Sequence, residues 1–226
     1  MTPIIIFEAF LIIYNNVVNL LPPQLHARIY VWLNLVILLL AWLWARKKLN
    51  LHPRDIGFTR KNLAQSVLYG LGLVFLIIIA AFALRQLLPA LGISKTFIRL
   101  DDVSRAKLWW RVLVRIPLGT GLFEEILFRG IFYGYLAKNY SSTQALFRSS
   151  LFFVFWHIMP TLKVILFNLQ LTSPLPIVGL WIVGLAGAYV AGLIFAWLRY
   201  RTGNIVGCLI AHILINDLFL IMVCLF

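Results

Sequence analysis

The sequence predicts an all-α, polytopic transmembrane helix bundle of about seven to eight helices. Three observations carry that expectation. Of 226 residues, 62% are hydrophobic and 12% charged, where an ordinary soluble domain has about half its residues apolar and about a quarter charged; mean hydropathy is +0.95. Apolar runs of bilayer length recur along the whole chain. Helix breakers and clusters of Lys and Arg separate them.

The first run, residues 3–21, is interrupted by Glu8, Asn15, Asn16 and Asn19, so it reads as a helix packed against the bundle. It has no basic leader and no small-residue cleavage site, and is expected to be retained and not removed as a signal peptide. Clear runs follow at 29–45, 65–88, 119–137, 144–168, 176–198 and 205–226, each near the ~20 residues a spanning helix needs. Pro22-Pro23, Pro89, Ser141-Ser142, Pro174 with Pro176, and Gly203-Asn204 supply the breaks. No linker and no internal repeat divides the chain, which predicts one integral membrane domain over residues 1–226. Gly184, Ala188 and Gly192 recur every four residues, as do Gly130 and Gly134. Small residues at that spacing let helix backbones approach closely, so packing is their expected use.

The net charge is +13. In a soluble chain that excess would suggest nucleic acid, but here the basic residues fall between apolar runs, with no element for reading a groove. They are expected to meet anionic lipid head groups and to orient the helices. Arg46, Lys47, Lys48, Arg54, Arg60 and Lys61 crowd one loop, and Arg199 and Arg201 another, which places both on the cytoplasmic side. The stretch 85–118 is the exception, because alternation puts it on the opposite side although it is rich in Arg and Lys. Part of 93–111 is therefore expected to lie along the interface, with Trp109 and Trp110 at head-group depth. Cys208 and Cys224 fall in one helix ~24 Å apart, beyond disulfide reach.

An ionisable side chain in the bilayer core costs roughly 2.5–3.5 kcal/mol even on lenient scales, so the few retained there mark binding, transport or catalysis. They form three clusters: Glu124, Glu125 and Arg129 in GLFEEILFRG; His157 in FFVFWHIM; His212, Asn216 and Asp217 in CLIAHILIND. Glu125 and Arg129 are four apart and can pair on one helix face. Glu124 lies ~100° round from Glu125 and points elsewhere. Phe153 shares a face with His157, and His212 with Asn216. If the Glu-bearing helix began at Gly119, Glu124 would sit only ~7 Å inside one membrane face and would miss His212. A helix starting near Arg111 and kinked at Pro117 brings Glu124 ~20 Å in, level with His157 and His212.

In that order, EExxxR at Glu124-Glu125-Arg129, FxxxH at Phe153-His157 and HxxxN at His212-Asn216 resemble the CAAX protease and bacteriocin-processing family of intramembrane glutamic endopeptidases, related to type II CAAX prenyl endopeptidases. Arg199 and Gly203 add the R-x-x-x-G approach usual before the last motif. The resemblance covers roughly residues 110–217. It implies that 111–217 is a catalytic helical core, with 1–110 supplying N-terminal helices and basic loops. It further implies an endopeptidase acting on a membrane-associated or lipidated peptide or protein. Glu124 and His157 would activate water, and His212 and Asn216 would form the oxyanion hole, with Glu125, Arg129 and Phe153 in support. The expected location is the plasma (inner) membrane of a bacterium, as a multi-pass protein.

Amide hydrolysis requires these groups on independent grounds: a base for water, an acid for the leaving amine, and donors aimed at the oxyanion. Zinc on Glu124, His157 and His212 is the competing mechanism. HExxH is absent, and the family resembled works without bound metal, so no cofactor is expected. A proton-coupled transporter would also retain buried Glu and His, yet the hydrophobic pattern has no inverted repeat. A non-catalytic adaptor of the same fold would have no use for all of Glu124, His157, His212 and Asn216.

Overall fold

The computed structural model describes residues 3–90, 104–168 and 173–225. Among the described residues there are eight helices and no sheet: α1 (Pro3–Val18), α2 (Pro23–Lys48), α3 (Leu63–Ala90), α4, α5 (Ser142–Trp156), α6 (Ile158–Asn168), α7 (Pro174–Thr202) and α8 (Val206–Leu225). Here α4 runs unbroken from Arg105–Trp110 through Arg111–Leu122, Phe123–Glu125 and Ile126–Phe132 to Tyr133–Asn139. Proline at the first helical position starts α2 and α7, where its missing N–H costs nothing. Basic residues fill the last turn of each and complement the helix dipole. Gly203 ends α7 in the left-handed region, φ 65°, its N–H bonded to the Arg199 carbonyl, a backbone position that suits glycine.

The chain is a multi-pass membrane protein, but hydropathy overstates the uniformity of its spans. α2, α3 and α7 are long and apolar enough to cross a bilayer, and α5 with α6 makes a fourth if the pair is one broken span. The run 144–168, expected as one helix, is two, bent by 42° at His157. Hydropathy registers composition and is blind to such a break. At the break, the side chains of α1 take over the freed backbone groups. Asn15 Nδ2 donates to the Trp156 carbonyl at 2.7 Å, Asn16 Nδ2 donates to the Phe155 carbonyl at 3.0 Å, and Asn16 Oδ1 accepts from the Met159 amide at 2.8 Å. Inside a membrane those groups would otherwise have no partner. The asparagines that weaken the first apolar run are thus what lets the run 144–168 break.

α4 begins at Arg105, six residues before the expected Arg111, capped by the Ser104 side chain, which accepts from the Lys107 amide. The expected interfacial segment therefore divides: 105–110 is the first part of α4, with Trp109 and Trp110 exposed, and 93–103 lies outside the described residues. Arg111–Leu122 and Ile126–Phe132 are wound as π-helix, and between them only Phe123–Glu125 is ordinary α-helix. Pro117 falls in the first π stretch, where wider winding relieves the clash of its ring with the preceding turn.

α4 is central. It packs against α2, α5 and α8, while α3 lies along α8 and α7 along α5. Phe123, Leu127, Phe128, Ile131 and Phe132 of α4 are fully buried. The small residues serve packing as expected: a Cβ on Gly134 would lie 2.6 Å from the Asp55 carbonyl oxygen, and one on Gly184 2.5 Å from Thr161 Cγ2. The loop between α2 and α3 is tied to the bundle. Arg199 donates to the Asp55 carbonyl at 2.9 Å, the Ile205 amide to the Gly57 carbonyl at 3.1 Å, and Asn204 Nδ2 to the Thr59 carbonyl at 2.6 Å. Arg199, Asn204 and Ile205 therefore join this loop to the α7–α8 turn and set the start of the helix that carries His212.

Candidate active site

The three clusters lie on α4, at the α5–α6 break and on α8, and the fold brings Glu124, His157 and His212 together. Glu124 and Glu125 occupy the short α-helical piece of α4, and their side chains diverge. Glu125, fully buried, accepts from Arg129 Nη1 at 3.0 Å and from His212 Nδ1 at 2.7 Å. Arg129, also buried, lies between aromatic rings, its guanidinium carbon 4.2 Å from the Phe153 centroid and 5.1 Å from that of Phe195. A second guanidinium nitrogen reaches the Gly192 carbonyl at 3.5 Å. Neutralised and enclosed, the Glu125–Arg129 pair is a fixed platform under His212.

Glu124 faces the other way. Its Oε1 accepts from the Trp156 indole N–H at 3.1 Å. Its Oε2 has no hydrogen-bond partner and lies 4.0 Å from His157 Nε2 and 3.9 Å from His212 Nε2. His157 sits at the break itself, and its Nδ1 contacts the Phe153 carbonyl at 2.8 Å. A carbonyl only accepts, so Nδ1 carries the proton, and in the neutral ring Nε2 turns a lone pair toward Glu124. Phe153 completes this side, with its ring 4.3 Å from that of His157. Asn216 is half-buried one turn beyond His212; its side chain makes no hydrogen bond among the described residues and is not drawn into the cluster.

Sequence reasoning misses three contributors. Trp156 is 1% exposed and carries the bond that orients Glu124; its signal is an indole N–H beside a motif histidine in a membrane span, which has to find an acceptor. Phe195 stacks on His212 at 5.4 Å. Asn15 fixes the Trp156 backbone. A cavity of about 180 Å³ opens on the cluster, lined by Glu124, Trp156 and His157 together with Asn15, Tyr30 and Thr120. Among the described residues, no group of three or more His, Cys, Asp or Glu side chains is arranged to hold a metal ion.

Residues 106–218, half the chain, match the model of the Rce1-like family, described as type II CAAX prenyl endopeptidase Rce1-like. The chain belongs to the Rce1-like family. No curated protein and no solved structure matches it. The Rce1-like region runs from the first turn of α4 to the middle of α8, and so contains the whole buried Glu–His cluster. α1 and α2 lie outside that region, yet they contribute Asn15, Asn16 and the buried Asn34, whose Nδ2 donates to the Gly119 carbonyl at 2.8 Å. In this Rce1-like chain the N-terminal helices brace the cluster from behind.

Proposed function

We propose that this protein is an intramembrane endopeptidase that hydrolyses a peptide bond of a membrane-associated or lipidated substrate. The observation that carries the proposal is the Glu124 oxygen left without a partner at a cavity wall, with an imidazole nitrogen on either side at 4.0 and 3.9 Å. Such separations are too long for direct hydrogen bonds. They suit groups that share one small polar partner, and water is the partner hydrolysis needs.

In this mechanism a water molecule gives one hydrogen bond to Glu124 Oε2 and one to the lone pair of His157 Nε2, so its own lone pair points at the substrate carbonyl. As the oxygen attacks, Glu124 takes the proton and a tetrahedral oxyanion forms. His212 has committed Nδ1–H to Glu125, so it donates from Nε2 only as an imidazolium, a charge that Glu124, 3.9 Å away, balances before attack and the oxyanion balances after it. Asn216 Nδ2 is the second donor, brought in by substrate. Collapse breaks the C–N bond, and Glu124 returns its proton to the leaving amine. General base catalysis of this kind contributes about 10²–10⁴-fold, and oxyanion donors about 10²–10³-fold each.

Comparing membrane-enriched peptides from cells carrying the wild-type chain or Glu124→Ala tests the proposal. Fragments of a membrane-associated protein should vanish in the variant and its uncut form should accumulate. Identical peptide sets at equal protein levels would contradict it.

A further inference from the structure

A second cavity, of about 560 Å³, adjoins the first and shares Asn19, His26, Arg115 and Pro160 with it. Arg111 and Lys163 add further positive charge to its wall, and Ile116, Val164 and Leu220 line its apolar side. Among its described lining residues there is no Asp or Glu, and among the described residues neither Arg111 nor Arg115 forms an ion pair. We propose that this vestibule binds the phosphate headgroup of an anionic membrane phospholipid, held by Arg111 and Arg115 at the mouth of the catalytic cavity.

The donors are preset. Arg115 Nη2 lies 3.3 Å from His26 Nδ1, and its guanidinium rests over the Tyr30 ring at 5.1 Å. A guanidinium only donates, so His26 Nδ1 accepts and the neutral ring's proton is on Nε2. That Nε2 is buried without a partner in a residue only 6% exposed. The vestibule therefore holds two arginines, and neither is matched to an acid among the described residues. Planar, forked arginine donors suit phosphate oxygens.

Depth favours a lipid as the source of that phosphate. Trp109 and Trp110, exposed by 59% and 42%, immediately precede Arg111, and exposed tryptophans of this kind sit at head-group level. Pro23 and Ala27, in the first turns of α2, reach the same level. The apolar wall gives an acyl chain a surface that a free anion would not use. This placement also accounts for Arg111 and Arg115 within the basic stretch that runs against the positive-inside pattern: they line a cavity. Headgroup binding stands on these residues whether or not the chain cleaves peptides; only a coupling of occupancy to turnover rests on the proteolytic proposal, since water and substrate share this entrance.

Delipidated full-length protein, titrated with phosphatidylglycerol or phosphatidylcholine and followed by native mass spectrometry, reads the binding directly. Phosphatidylglycerol should bind at least about tenfold more tightly, the worth of one good charge-assisted contact. Arg111→Gln with Arg115→Gln should abolish the preference, and the matching Arg→Lys pair should keep most of it. Arg111→Gln alone guards against misfolding, because the Arg111 side chain makes no hydrogen bond among the described residues; it should weaken phosphatidylglycerol binding about tenfold. Glu124→Gln should leave binding unchanged. Equal affinity for the two lipids, or a preference that survives both glutamines, overturns the proposal. Displacement of the lipid by inorganic phosphate at equal concentration, or by a short peptide with a free C-terminal carboxylate but not by its amide, would assign the site to a free anion or to substrate instead.

Discussion

Trp156 donates its indole N–H to Glu124 Oε1 at 3.1 Å, and this bond determines which carboxylate oxygen is presented to His157 and His212. In Trp156→Phe the aromatic packing survives in part, but the carboxylate loses its anchor. A hydrogen bond to a charged group is worth about 1.5–3 kcal/mol, so kcat should fall about ten- to a hundredfold. Steady-state kinetics on a membrane-anchored peptide, with a melting curve to verify folding, measure it. An unchanged kcat would detach Trp156 from the chemistry.

The buried Glu125–Arg129 pair predicts a stability effect distinct from an activity effect. Arg129→Met leaves the Glu125 carboxylate buried with only His212 beside it, and breaking a buried pair costs about 3–5 kcal/mol. Glu125→Gln together with Arg129→Met should recover much of that loss. Unfolding in detergent, compared across the two single variants and the double variant, gives the coupling directly.

The motif residues were legible in the sequence because charge inside a membrane is conspicuous. Glu124, Glu125, Arg129, His157 and His212 are found by that criterion alone, and bringing them to one depth requires an early start to the Glu-bearing helix, which α4 has. Its π-helical winding and the break at His157 were not legible, since both are hydrogen-bonding events within runs of uniform hydropathy. The function of Asn15 and Asn16 was hidden for a related reason: each weakens α1 as a span, and its benefit appears only on α5 and α6, about 140 residues away.

The contact of α3 with α8 predicts intolerance to a single methyl group. A Cβ on Gly207 would lie 2.0 Å from the Ser66 carbonyl oxygen, and one on Gly70 2.4 Å from the Gly207 carbonyl oxygen. Both approaches are backbone against backbone. Gly207→Ala should therefore destabilise by about 1–3 kcal/mol, as overpacking does, and shift the helix that carries His212. Gly72→Ala, with nothing within 4 Å of its Cβ, is the control and should be close to neutral in the same thermal assay.

Asp55 predicts a pH effect in the loop that α7 and α4 hold. Partial burial draws its carboxyl upward, but the His52 amide and the Lys138 ammonium outweigh that and hold it below the ordinary carboxylate value. A carboxyl lowered on folding contributes stability above its unfolded pKa, about 3.9, and the contribution is lost as pH falls through the lower folded value. The Lys138 pair is partly exposed, at 3.3 Å, so the effect should stay within about 1 kcal/mol. Asp55→Asn should lower the melting temperature slightly at pH 7 and make no difference near pH 2.

Purified protein reconstituted with a membrane-anchored peptide, wild type against Glu124→Gln, tests whether Glu124 is the base that activates water. The substitution keeps shape and the Trp156 neighbour but removes the base. The fold should stay intact and cleavage should fall about 10²–10⁴-fold. Unchanged cleavage by a folded Glu124→Gln protein would contradict that role.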